Sequence, residues 1–217
     1  MRQSFDVELA GLQQNIMRMG ALVERMLDIA VESLKRKDSL MAQEVIRIEE
    51  EVDNMERDIE QKCLQLIATQ QPMAKDLRRI AAGFKIITDL ERMGDYCEDI
   101  AKTTLRLEGQ PLIKPLIDIP NMSAIAKKMV HNALESYVNE DIDQAEALSK
   151  EDDTVDMIYA QIIRELLTYM LEDPRTISQA TSLMFVGRYV ERIADHATNI
   201  GERVIYMTTG ETRNLND

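Results

Sequence analysis

The sequence predicts an all-α protein built from two tandem antiparallel three-helix bundles, six long helices in all. Three observations predict it. Ala, Leu, Met, Glu, Lys and Arg dominate a chain of 217 residues that holds only 8 Gly, 5 Pro and 4% aromatics, a composition that favours helix over sheet. Apolar residues recur at alternating spacings of three and four through long segments, the signature of an amphipathic helix. The whole pattern then occurs a second time at a nearly constant offset, which marks an internal duplication.

The first periodic segment runs from about Ser4 to Lys35, the second from Asp38 to Ala68 and the third from Met73 to Leu107. The breaks between them are short, so successive helices must be antiparallel neighbours. Asp38 is placed to cap the second segment, and Pro72 suits the first turn of the third, where a missing N–H is harmless. Residues 108–120 then carry Pro111, Pro115 and Pro120, which block helix and read as a linker. The expected division is a first repeat over 1–107, a linker over 108–120 and a second repeat over 121–217.

Beyond the linker, Ala21, Met26, Ala30, Ser33, Asp38, Val52 and Asp53 return 103 positions later as Ala124, Met129, Ala133, Ser136, Asp141, Val155 and Asp156. Asp173-Pro174 plays the part of Gln71-Pro72 with a shorter turn. From there the offset is 100, and Glu91, Arg92, Asp95 and Ile100 return as Glu191, Arg192, Asp195 and Ile200. The second copy ends near Met207, with Gly210 as a stop before a polar tail.

Charge and composition remove several function classes. A formal net charge of −13 and a pI near 4.7 argue against nucleic acid and against an anionic membrane surface, both of which are bound through Lys and Arg. The opening Met1-Arg2-Gln3-Ser4-Phe5-Asp6 has no apolar run after its charge, and no stretch reaches the roughly 18 apolar residues of a membrane span. A soluble, cytoplasmic protein without direct membrane insertion is expected. Cys63 and Cys97 fall inside amphipathic patterns, where a free thiol acts as a small buried hydrophobe.

The last segment has its packing seam at Leu183, Val186, Val190, Ile193, Ala197, Ile200 and Val204; its counterpart reads Gly83, Ile86, Leu90, Met93, Cys97 and Ile100. The second and fifth segments give Val45, Ile48, Val52, Met55, Ile59 and Leu148, Val155, Ile158, Ile162. Asp53, Asp156, Glu91 and Glu191 each follow a seam residue and are therefore turned about 100° away from it. Each has an acidic partner four residues away on the same face: Glu49 with Asp53, Glu91 with Asp95, Asp152 with Asp156, and Glu191 with Asp195. Matching flanks of antiparallel helices face each other, so each repeat should gather four carboxylates.

Like charges so placed repel, and a cation is the simplest offset. All-oxygen ligands indicate a hard or borderline ion: Mg, Mn, Ca or Fe, with Zn admissible. Asp99 and Asn199 continue the rows one turn on, but drift outward and are weaker candidates. The competing reading is a solvated face, since 39 acidic residues produce such pairs by chance, as Glu50, Glu51, Glu60 and Glu98 illustrate. Arg92 and Arg192 are expected to point away from the neighbouring acids, as surface or interdomain partners.

Catalytic signals are missing. His131 and His196 do not complete the Glu-x-x-His pattern of di-iron bundles, and there is no glycine-rich phosphate loop, Gly-x-Ser-x-Gly elbow or Cys-x-x-Cys pair. No catalytic residue is assigned and the protein is not expected to be an enzyme; a metal-dependent hydrolase would rest on the carboxylates alone.

Three stretches carry a resemblance: Gln71-Pro72-Met73-Ala74-Lys75-Asp76-Leu77-Arg78-Arg79-Ile80, Asp89-Leu90-Glu91-Arg92-Met93-Gly94-Asp95, and Val190-Glu191-Arg192-Ile193-Ala194-Asp195-His196-Ala197-Thr198-Asn199-Ile200. They closely resemble the PhoU family of bacterial phosphate-transport accessory proteins, over nearly the whole chain. The resemblance implies a cytoplasmic negative regulator of phosphate uptake and of the phosphate-starvation response. It would act between the ATP-binding subunit of the phosphate ABC transporter and a sensor histidine kinase. It also implies Glu/Asp-x-x-x-Asp motifs that hold metal on the bundle surface, matched here by the four pairs above. One departure is that His196 and Asn199 are answered in the first repeat by Tyr96 and Asp99, so the two sites need not be alike. Monomer and homodimer are both compatible with the sequence.

Overall fold

The computed structural model describes residues 2–215. Among them are six α-helices: α1 (Arg2–Arg36), α2 (Ser39–Gln70), α3 (Ala74–Arg106), α4 (Asp118–Asn139), α5 (Ile142–Glu172) and α6 (Ile177–Thr209), with a single 3-10 turn at Pro174–Thr176. No strand occurs among the described residues. Helices α1–α3 form one three-helix bundle and α4–α6 the other. Helices α2, α3, α6 and α5 lie side by side in that order, and α1 and α4 cover the back of this layer. The arrangement is thus two packed helical layers.

The predicted seams are the core. Every seam residue named for α3 and α6 is buried, as are Val45, Ile48, Val52 and Ile59 of α2 and Leu148, Val155 and Ile162 of α5. Met55 and Ile158 are only half-buried. Cys63 and Cys97 are free and buried. Helices α3 and α6 also bury a second stripe, Ile87, Gly94 and Ala101 on one and Gly187, Ala194 and Gly201 on the other, because each is wedged between its own repeat and the other one.

The linker boundary differs from the expected one. Helix α4 starts at Asp118, so Pro120 sits in a helical first turn, where its missing N–H has no intrahelical acceptor to disappoint. The connection is therefore residues 107–117. Pro72 stands one residue before the N-cap Met73 rather than within α3.

The first turn of each repeat is a copy of the other. Lys37 and Glu140 adopt left-handed backbone (φ 55° and 53°). The next N–H, of Asp38 or Asp141, returns to the carbonyl of Ser33 or Ser136 at 2.9 and 3.0 Å. Each buried serine in turn donates to Ala30 or Ala133 at 2.7 Å. The Asp38 carboxylate caps α2 by accepting from the N–H of Leu40 and Met41, and Asp141 accepts from Gln144. The second turns differ: Gln71 is left-handed (φ 45°), whereas Asp173 is extended and leads into the 3-10 turn. There the offset between the copies falls from 103 to 100.

A pseudo-two-fold axis relates the repeats. Glu24 meets His131 at 3.3 Å, and exchanging each for its repeat mate gives Lys127 and Asp28, which pair at 2.9 Å. Asp89 meets His196 at 2.8 Å, and the same exchange gives Tyr189 and Tyr96, whose rings stack with centroids 6.0 Å apart. Helices α3 and α6 therefore run antiparallel across the axis.

Glycines draw α5 onto α6. A Cβ at Gly201 would stand 2.9 Å from Leu148 Cδ1 and 3.2 Å from the Ala145 carbonyl oxygen, and one at Gly187 3.1 Å from the Tyr159 ring. The counterparts in α3 are Ala101 and Ile87, and there Gly94 takes the close contact, its Cβ position 3.4 Å from Val52 of α2. Gly201→Val is expected to lower stability by about 1–3 kcal/mol through overpacking. Gly11→Ala, where nothing lies within 4 Å of the new Cβ, should instead raise it by up to about 1 kcal/mol. Urea unfolding of the two variants measures both.

Candidate functional site

On the exposed side of the four-helix layer, the acid-bearing flank of α2 faces that of α3, and the flank of α5 faces that of α6. A hydrogen bond from Thr88 on α3 to Glu56 on α2 at 3.2 Å joins the two flanks. The antiparallel seams thereby put the acids of both helices on one strip.

In the first repeat, Glu49 is pushed up to about 7, first by burial, then by the charge of Asp53 and a hydrogen bond shared with it, then by Glu98 and Asp95. Glu91 is raised by burial and next by Asp95, with Arg92 opposing and Glu56 and Asp53 adding. Asp95 is raised chiefly by burial, against Arg92, with Asp53 and Glu98 adding. Each carboxylate thus feels those of the facing helix. The four predicted acids are together, all half-buried.

The second repeat is tighter. Asp152 and Glu191 are each 8% exposed. Asp152 is pushed up to about 7 by burial, then by Asp195, Asp156, Glu191 and Asp153. Glu191 is likewise at about 7, through burial and then Asp195, with Arg188 opposing. Asp156 is raised by burial and by Asp195. Beside them, α5 packs directly on Gly187 and Gly201 of α6.

Cations of the chain balance part of this charge. Arg92 reaches Asp95 at 3.2 Å and Glu91 at 3.5 Å, Arg192 reaches Asp195 at 3.0 Å, and Arg57 reaches Asp53 at 3.3 Å. Arg188 pairs with Glu191. Arg92 and Arg192 therefore do not point away from the acids: three residues along a helix is within reach of a long flexible side chain, which folds back onto the carboxylate.

Two oxygens are left over. Asp152 Oδ1 and Glu191 Oε2, one from α5 and one from α6, are buried without a hydrogen-bond partner. A buried carboxylate oxygen without a donor is costly, and both belong to the same four-acid cluster. The donor set is all oxygen. Among the described residues no three His, Cys, Asp or Glu side chains converge at metal-ligating geometry, and Asp95 and Asp195 are engaged by Arg92 and Arg192.

The weaker candidates lie aside. Asn199 donates to Asp89 at 3.4 Å across the α3–α6 contact. Asp99 is raised mainly by burial and sits among Lys102, Glu98 and Arg106. Sequence reasoning missed Glu56 and Glu98, which join the first cluster. Their signal was spacing, since Glu56 is three residues after Asp53 and Glu98 three after Asp95. In the second repeat these positions are Tyr159 and Thr198.

A duplicated helical bundle with an acidic cluster on each copy is the class of protein that this geometry defines. The chain matches the PhoU domain twice, over residues 16–104 and 119–204. It is 41% identical, over all of its own length and 99% of the relative's, to the phosphate-specific transport system accessory protein PhoU homolog of Clostridium acetobutylicum. The homolog of the same name from Aquifex aeolicus is 44% identical over 94% of this chain and 92% of its own. The crystal structure of PhoU from Pseudomonas aeruginosa superposes with a TM-score of 0.91 at 38% identity, over 95% of this chain and 100% of that one. The phosphate transport system regulatory protein PhoU of Streptococcus pneumoniae gives 0.89 at 29% identity, over 97% and 99%. This chain belongs to the PhoU family.

The raised proton affinity of Asp152 and Glu191 destabilises the native state wherever they must ionise. Without added cation, stability should be highest near pH 4, fall as pH rises toward about 7 and then level off. Asp152→Asn should be more stable than the parent at pH 8, with the difference closing toward pH 4. Chemical denaturation in EDTA at the two pH values measures it.

Proposed function

We propose that the chain is a cytoplasmic negative regulator of phosphate uptake and phosphate-starvation signalling, acting through protein contacts rather than catalysis. The observation that carries this reading is full-length similarity to relatives named as phosphate-specific transport system accessory proteins, reinforced by a structural neighbour described as a phosphate transport system regulatory protein. Its partners in this reading are the ATP-binding subunit of the phosphate ABC transporter and a sensor histidine kinase. No helix among the described residues is long and apolar enough to cross a membrane, in keeping with a protein that reaches a transporter from the aqueous side.

The acidic faces serve this role as cation sites. Asp152, Asp156, Glu191 and Asp195 would hold one ion, and Glu49, Asp53, Glu91 and Asp95 another. The donors suit a cation chemically: in the second repeat two carboxylate oxygens are buried and unpartnered, and burial with mutual repulsion raises the affinity of both clusters for positive charge. A bound ion would have to draw the acids together, since no three of them converge among the described residues. A bound cation would replace the proton on Asp152 and Glu191 and fasten α5 to α6. Fe, Zn, Mn and Mg all accept such donors.

Immobilised chain should retain the transporter's ATPase subunit and the kinase's cytoplasmic part from purified mixtures. Retention of neither, with or without cation, overturns the regulatory reading. Elemental analysis of purified protein should find metal that is lost from the second repeat in the Asp152→Ala, Glu191→Ala variant. Unchanged metal content in that variant counts against the assigned ligands. Cation binding should release protons at pH 6–7 and stabilise the fold more at pH 8 than at pH 5.

A further inference from the structure

The acidic strips continue into exposed apolar ones, and these too are duplicated. Down α2 the row Asp53, Glu60 leads to Leu64 and Ile67, all at helical spacing on one face. Down α3, Leu77 lies three turns before Thr88, which faces α2. In the second repeat the same positions are Leu167, Met170 and Ile177. Leu64, Leu77, Leu167 and Ile177 are 54%, 42%, 45% and 48% exposed, so apolar surface at matching places in both copies remains in water. One turn along α6 from Ile177, a shallow groove of about 260 Å³ is lined by Tyr159, Thr181, Met184, Phe185 and Arg188. Duplicated exposed apolar patches mark a binding surface more strongly than scattered single residues do.

The two strips lie at the two ends of the layer. Helices α3 and α6 are antiparallel, with Arg78 bonding to the carbonyl of Met207, so Leu77 and Ile177 stand about 45 Å apart along the pair at 1.5 Å per residue. The pseudo-two-fold axis passes between them. A rigid partner with a single binding patch could cover only one strip. A partner with its own two-fold axis, set on the pseudo-axis, would present the same residues to both.

We infer that the surface formed by α2–α3 and α5–α6 is a bivalent dock for a two-fold symmetric homodimer, one repeat gripping each subunit by a segment of apolar residues flanked by Lys or Arg. Charge complementarity selects this occupant. Each apolar strip ends in a cluster of four or more carboxylates, and the chain carries a net −13. A second copy of the chain would set acids against acids, and an anionic bilayer would be repelled. The inference rests on the proposed regulatory role, whose partners it describes as dimers bound at one chain per dimer.

The test uses full-length chain with the transporter's ATPase subunit and with the kinase's cytoplasmic part, by light scattering and native mass spectrometry. One chain per partner dimer is expected with at least one of them. Leu77→Asp and Ile177→Asp should each weaken that complex by about 10-fold or more, and the double variant by well over the larger single effect, as loss of bivalency requires. Leu64→Asp with Leu167→Asp repeats the measurement at a second pair of exposed sites, and circular dichroism confirms that the variants fold. A complex with one chain per partner subunit, a single variant without effect, or a double variant that binds like the parent overturns the dock while leaving the regulatory role standing. Self-association, or sedimentation with phosphatidylserine vesicles, that the double variant abolishes would assign the strips to a second copy or to lipid and would also overturn it. Parent chain that binds neither partner removes the regulatory role and this inference together.

Discussion

The antiparallel contact of α3 with α6 is the constraint on which the rest of the molecule depends. Each of these helices is buried on two sides, against its own bundle and against its repeat mate, which leaves only one outward stripe. That stripe holds the acids Glu91 and Asp95 on α3 and Glu191 and Asp195 on α6. Small residues make the double burial feasible, with Gly94 and Ala101 on α3 and Gly187, Ala194 and Gly201 on α6. The inter-repeat contact also contains the polar pairing of Asp89 with His196 and Asn199, whose repeat-related position is filled by stacked tyrosines. The two halves are thus symmetric in backbone and different in chemistry.

That asymmetry extends to the acidic clusters. In the first repeat the acids are half-buried and more numerous, with Glu56 and Glu98 joining the expected four. In the second they are fewer and more unevenly buried, with Asp152 and Glu191 in the interior and Asp156 exposed. Burial is the leading cause of the raised proton affinity at Glu49, Asp152 and Glu191 alike, and mutual repulsion adds to it. Arginines one turn away answer part of the charge, but Asp152 Oδ1 and Glu191 Oε2 have no such answer. The second cluster is therefore the one that holds buried carboxylate oxygens without a donor.

The fold was legible in the sequence to a large degree, and the reasons are physical. Periodicity at 3.6 residues identifies a helix and its seam, and an ungapped offset identifies a duplication, so Val190 or Cys97 could be placed in the core from spacing alone. Asp38 announced its cap because an N-cap needs a short acceptor at one defined position, and Asp141 is its repeat mate. Pro120 misled because a proline excludes the interior of a helix but not its first turn, and spacing cannot say which applies. The clusters were legible as rows on a cylinder; their depth was not, since it depends on how closely a second helix approaches. Nor could spacing show where Arg92 and Arg192 go, because a long side chain is not confined to the direction in which its Cβ starts. Glu56 and Glu98 were passed over for the opposite reason: in a chain so rich in acids, a row offers more members than the facing helix selects.

Residues 107–117 look like a flexible tether in composition, with Gly109, Pro111 and Pro115 in close succession. Their contacts describe something else. The buried Gln179 of α6 grips this strand at both ends of its amide, accepting from the N–H of Ile113 at 2.6 Å and donating to the carbonyl of Pro111 at 2.9 Å. Lys114 pairs with Glu165 of α5, and with Asp118 at 3.6 Å. A strap fastened in this way is no hinge. The strap is bound along the second bundle, and Lys37 of the first reaches the Gln110 carbonyl at 3.3 Å, so with α3 laid against α6 the two bundles are moored to each other along two lines rather than strung on a free tether.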